Sequence, residues 1–113
     1  MAQSITLKGS SKVPGATVSQ AVAWTGDASY PNPAGYVITP AQLNMSRFSR
    51  VLDPVANTAA SGAWDPVIVP TYDATGDFIN SFAIHLIVNT TGVEVANGVN
   101  VAAAAFTIYV EGN

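Results

Sequence analysis

The sequence predicts an all-β fold, an antiparallel β-sandwich or jelly-roll-like domain with one short helical turn near residues 40–44. Apolar and polar residues alternate with period two in short segments, which is the mark of half-buried strands. Gly, Pro, Asn and Asp bound those segments, and beyond the turn near 40–44 no apolar stripe recurs at helical spacing. At 113 residues, 49% of them hydrophobic, the chain fits one domain with one core.

Ser4 to Leu7 reads as a short opening strand, and Lys8 to Gly15 as a loop or turn, so residues 1–15 form an N-terminal arm and 16–113 a single β domain. Ala16 to Trp24 is a strand with Val18, Val22 and Trp24 on one face. Thr25 to Gly35 carries too many breakers for regular structure and reads as an ordered surface loop. Thr39-Pro40-Ala41-Gln42 has the layout of a helix start, with Thr as N-cap, Pro first inside, and Gln closing a capping box. Arg47 to Val55 is a candidate strand with Phe48, Arg50 and Leu52 on one side, and Asn57 to Gly62 a small-residue linker. Trp64 to Tyr72 is extended, and Pro66 and Pro70 place it at a sheet edge because proline cannot donate to a ladder. Asp73-Ala74-Thr75-Gly76 is a hairpin turn. The strongest strand is Phe78 to Val88, which alternates Phe82, Ile84, Leu86 and Val88 with Ser81, Ala83, His85 and Ile87 and is expected to lie centrally. A turn at Asn89 to Gly92, a strand at Val93 to Val95, a loop at Asn97 to Asn100 and a last strand with Phe106, Ile108 and Val110 on one face complete the chain.

Only 10% of the residues are charged, against about 25% in an average soluble protein. An undercharged exterior points to a surface covered by partners. Lys8, Lys12, Arg47 and Arg50 all lie in the first half, whereas every acid except Asp27 lies at or beyond Asp53. An acidic sequence pI of 4.6 without a basic run argues against nucleic acid as a partner, since neutralising phosphates takes clustered Lys and Arg. There is no cysteine, so packing alone must stabilise the fold. Met1 to Ser4 shows no signal-peptide pattern, and the uncharged run from Val95 to Val110, broken by Asn97, Gly98 and Asn100, is too short to cross a membrane. A soluble protein is expected.

Candidate chemistry is sparse. The lone histidine, His85, falls mid-strand, and no G-x-S-x-G, H-E-x-x-H, Walker or G-x-G-x-x-G pattern accompanies it. Asp73 and Asp77 are better explained by turn formation than by calcium, which wants more oxygen ligands, or by a glycosidase pair, which needs a buried acid. No enzyme activity, cofactor or metal is expected. Trp24, Tyr30, Tyr36, Trp64 and Tyr72 could stack on sugars or anchor an interface. The tryptophans read as core, and Tyr30 and Tyr36, which flank Pro31 and Pro33, as interface candidates. Asn44-Met45-Ser46 and Asn89-Thr90-Thr91 match the glycosylation sequon only by chance.

The order of Asp27-Ala28-Ser29-Tyr30-Pro31, Ile38-Thr39-Pro40-Ala41-Gln42-Leu43, the Tyr72-Asp73 turn with Gly76, and Val95-Ala96-Asn97-Gly98 before a closing strand resembles small tailed-bacteriophage capsid-associated proteins of decoration or cement type. Asn32-Pro33-Ala34-Gly35 and Asn44-Met45 depart from that pattern, where Gly-Gly and Gly-Leu would be expected. The resemblance implies a β-rich virion component on the capsid surface that binds and stabilises the major capsid protein as a homo-oligomer, trimer or dimer. The expected contact residues are Ile5, Leu7, Lys8 and Lys12 in the arm and Tyr30, Pro31, Pro33 and Tyr36 in the loop. The rival expectation is a carbohydrate-binding or adhesion module of a tail or fibre that stacks sugars on Tyr30 and Tyr36.

Overall fold

The structure, a computed structural model, describes residues 3–13, 17–56 and 59–112, without the side chains of 9–13, 17, 18, 59 and 60. Among the described residues nine strands form an antiparallel β-sandwich: β1 (Ser4–Val13), β2 (Thr17–Thr25), β3 (Tyr36–Ile38), β4 (Phe48–Val51), β5 (Val55–Ala56), β6 (Trp64–Tyr72), β7 (Ile79–Val88), β8 (Val93–Glu94) and β9 (Ala105–Gly112). One layer runs β1-β2-β9, with β4 and β5 following one another along the far side of β9. The other is centred on β7, which has β6 on one side and β3 and β8 on the other. β4 joins the layers, because Phe48 stands opposite both Ile79 of β7 and Gly112 of β9. A Cβ at position 112 would collide with the Arg47 carbonyl oxygen, so only glycine permits this crossing.

Alternation decides which side chains enter the core. Val22 and Trp24 of β2, Phe106, Ile108 and Val110 of β9, and Phe48 of β4 meet the inward row of β3 and β7. Trp24 meets Tyr36 edge-on with ring centroids 5.2 Å apart, and Phe48 packs 5.3 Å from Phe82. Each fully buried large apolar side chain contributes roughly 1.5–3 kcal/mol. The indole N–H of Trp24 donates to Gln3 Oε1 at 2.6 Å, and Gln3 Nε2 donates to the Val37 carbonyl at 2.9 Å, which links the start of the chain to β3.

The short helical element is a single 3-10 turn at Pro40–Leu43. The Thr39 N–H donates to Gln42 Oε1 at 2.7 Å, which is the glutamine half of the expected capping box, and Asn44 closes the turn in the left-handed region at φ 58. A second 3-10 turn, Ala59–Ala63, occupies much of the expected linker; residues 57 and 58 lie outside the described residues. Its buried Ser61 donates through Oγ to the Ala105 carbonyl at 2.9 Å and accepts the Ala105 N–H at 2.8 Å, standing in for a strand partner. In the Asp73 turn, the carboxylate accepts from the N–H groups of Thr75 and Asp77, and Gly76 takes φ 77.

Two expectations are corrected. Lys8 to Val13 is strand rather than loop: β1 continues past a bulge between Leu7 and Gly9 and pairs with β2 as far as Val13 opposite Thr17, so the N-terminal segment is a sheet strand and not a free arm. The tip of this hairpin, residues 14–16, lies outside the described residues. Phe48, Arg50 and Leu52 do not share a face. A register shift between Phe48 and Arg50 turns Phe48 into the core and leaves Arg50 and Leu52 exposed.

Candidate functional site

β1 and β6 are the long outer strands, and each has one strand partner among the described residues. Which main-chain groups they present follows from the registers. The Gly26 N–H donates to the Ala104 carbonyl, so Trp24, Val22 and Gln20 of β2 point their polar groups at β9. Thr25 and Ala23 therefore bond to Ser4 and Thr6 of β1, and the N–H and C=O groups of Ile5 and Leu7 face outward, away from any strand. Leu7 is 37% exposed, Lys8 is exposed, and Ile5 is half-buried against the core. Lys12, further along β1, stands opposite Val18 of β2; its side chain lies outside the described residues.

β6 is built the opposite way. The Asn89 N–H donates to the Ala63 carbonyl, which sets Asp65, Val67 and Val69 to bond with β7 and turns Pro66, Ile68 and Pro70 outward. Two of those three outward positions carry no N–H, so between Pro66 and Pro70 only Ile68 offers a donor, whereas Ile5 and Leu7, ahead of the bulge in β1, both carry one. Beside this edge, on the outer face of the β7 layer, Val37, Ala83 and Val69 stand in register across three strands, with exposed Val67 next to His85.

The loop residues are divided. Pro33 is exposed and Pro31 half-buried, following Tyr30 on either side of Asn32, and the Asn32–Pro33 peptide is cis. Tyr30 and Tyr36 are 0% and 5% exposed, which corrects their assignment as contact residues. The reason is that the breaker-rich segment is strapped to the stretch before β9. The Tyr30 N–H donates to the Val99 carbonyl, the Gly98 N–H to the Tyr30 carbonyl, and the Val101 N–H to the Asp27 carbonyl. With the main chain satisfied there, both rings turn inward and meet at 5.6 Å.

Their hydroxyls end in two polar clusters that sequence reasoning missed. Tyr30 Oη accepts the Leu86 N–H at 3.0 Å, filling the gap that β3 and β8 leave along β7, and donates to Glu94 Oε2 at 2.6 Å. His85 Nδ1 lies 2.8 Å from the same oxygen, and because a carboxylate only accepts, that nitrogen carries the hydrogen. Tyr36 Oη donates to Asp27 Oδ1 at 2.6 Å. These hydrogen bonds hold Glu94 and Asp27 below the ordinary carboxylate range. Burial, reinforced by the bond to Asp27, pushes the Tyr36 phenol up to about 12. Only the alternating position of His85 and the lone Glu94 in β8 hinted at a contact, and neither specified it.

Chemically, the Glu94 oxygen is committed to two donors, the Tyr30 hydroxyl and His85 Nδ1, so the cluster ties the Tyr30 loop to β7 and β8. Among the described residues no group of three or more His, Cys, Asp or Glu could hold a metal, and no helix is long and apolar enough to cross a membrane. Comparisons of the chain with protein-family models, curated proteins and solved structures found no match.

Proposed function

We propose that this chain is a virion structural protein, a capsid decoration or cement protein that binds the major capsid protein on the shell surface and stabilises it without catalysis. The observation that carries this is the contrast between its two long outer strands: Pro66 and Pro70 close β6 to strand addition, whereas β1 leaves the main-chain groups of Ile5 and Leu7 open beside Lys8. An open edge in a protein whose other long edge is guarded is a place for an extended partner segment to add as a further strand. Residues 1–26 contain Lys8 and Lys12 and no acid, so the partner segment best suited to this edge is acidic. The exposed face of Val37, Val67 and Val69 is the surface we assign to self-association into a dimer or trimer.

A protein that binds only the assembled shell stabilises it by mass action, and many symmetry-related copies act together. Counting copies in purified particles by mass spectrometry tests the assignment, with a ratio of the same order as the shell protein expected. Transferring the β6 device to β1 by Leu7→Pro removes an outward donor and no β2 bond, so it should lower particle occupancy while the isolated domain keeps its β spectrum. Full occupancy by a folded Leu7→Pro protein would count against the β1 contact. The rival based on sugar stacking at Tyr30 and Tyr36 lacks its rings, because both are buried.

A further inference from the structure

Where β4 leaves β7 at Phe48 and crosses to β9, the layers part and an open-sided cleft of about 250 Å³ lies between β4 and β6. Its floor is apolar, made by Val51, Ile68, Pro70 and the buried Ile79. Its rim is polar, made by Ser49, Arg50, Asp53 and Tyr72. Tyr72, at the end of β6, is 56% exposed, a large aromatic that the fold leaves out of the core. Arg50 is paired with Glu111, its Nε 3.0 Å from Oε1, so its guanidinium is positioned while remaining exposed at the rim.

We propose that this cleft binds one neutral pyranose ring. A pyranose has an apolar face of C–H groups and a rim of hydroxyls, so it calls for an aromatic ring together with groups that both donate and accept. Tyr72 supplies the ring, Arg50 the donors, Asp53 an acceptor pair, and Ser49 a hydroxyl that does either. An anion fits less well, because Asp53 lines the cleft and the single Arg50 beside it is already paired with Glu111. A purely apolar ligand would cover the charges of the rim without replacing their water. The volume lies just below the range of about 300–1,000 Å³ common for drug-sized ligands, which suits one ring better than an oligosaccharide. β2 and β9 separate β4 from β1, so a copy docked through β1 keeps the cleft clear, and the two assignments stand or fall separately.

The test is an NMR titration of the isotopically labelled full chain with methyl α-glucopyranoside, methyl α-galactopyranoside, methyl α-mannopyranoside and N-acetylglucosamine into the millimolar range, with inorganic phosphate as the anionic probe. Saturable shifts confined to the amides of 49–53, Ile68, Tyr72 and Ile79 are expected with at least one sugar and not with phosphate. Tyr72→Ala should weaken that binding about five- to tenfold, and Tyr72→Phe should preserve it, since the ring face and not the hydroxyl makes the contact. No saturable response to any of the four sugars, tighter binding of phosphate, or an unchanged affinity in Tyr72→Ala would overturn the assignment.

Discussion

The Tyr30 hydroxyl performs the task of a missing strand. β3 covers β7 from Phe82 to Ile84 and β8 covers Ile87 and Val88, so Leu86 has no strand residue opposite it on that side. Its carbonyl is taken by the Val95 N–H and its N–H by Tyr30 Oη. Tyr30→Phe keeps the ring and its packing but strands a buried N–H and removes one of the two donors to Glu94, and it should cost about 1–3 kcal/mol. Chemical denaturation of the purified variant checks this, and a loss near zero would mean that water replaces the hydroxyl. Hydrogen exchange at Leu86 should quicken by a comparable factor. Nothing in a list of residues announces such a role, because a tyrosine between Ser29 and Pro31 carries the same local signal whether it points out of a loop or through a sheet.

At the scale of elements, what was legible is what local chemistry decides. The alternation of Phe82, Ile84 and Leu86 placed β7 at the centre, the Thr39-Pro40-Ala41-Gln42 pattern placed the first 3-10 turn, and Asp73 with Gly76 placed the hairpin turn, all as observed. What was illegible is what pairing decides. Lys8 to Val13 is rich in Gly, Ser and Lys and shows little apolar alternation, yet β2 offers it a complete ladder, and an edge strand does not need an inward face at every second residue. The bulge after Phe48 likewise depends on the crossing between layers. The prolines of β6 were read correctly as edge markers, and their role can be reversed. Pro66→Val with Pro70→Val restores two outward donors while keeping apolar side chains on the half-buried face, and should make the protein self-associate with rising concentration in light scattering. A double variant that associates no more than the parent would show that proline is not what guards this edge.

For the whole molecule, the two tyrosine–carboxylate clusters contribute to how stability varies with pH, alongside Asp73, whose carboxyl the Thr75 hydroxyl holds below its ordinary value. Glu94 is held below its ordinary value of 4.5 first by the Tyr30 hydroxyl and then by His85, and Asp27 below 3.8 first by Tyr36, in each case against desolvation. A carboxylate depressed in the folded state contributes in full above its unfolded value and loses that contribution as pH falls through the folded one. The phenols act with the opposite sign. Tyr36 is raised from 10 to about 12, chiefly by burial, and Tyr30 is raised for the same reason with Glu94 adding to it. Their contribution is complete below the unfolded value and disappears as pH rises through the folded one, because the unfolded chain ionises first. The melting temperature should therefore hold a plateau from about pH 5 to about pH 9.5 and fall on both sides. Glu94→Gln should lower the plateau and flatten the acid limb, since glutamine has no proton to take up, while Tyr36→Phe should flatten the alkaline limb and leave the acid limb steep through Glu94. Calorimetry of the parent and both variants separates the two clusters. If Glu94→Gln kept the full acid slope, the acid sensitivity would lie outside the Tyr30–Glu94–His85 cluster, and the loop it locks would be held by its main-chain straps alone.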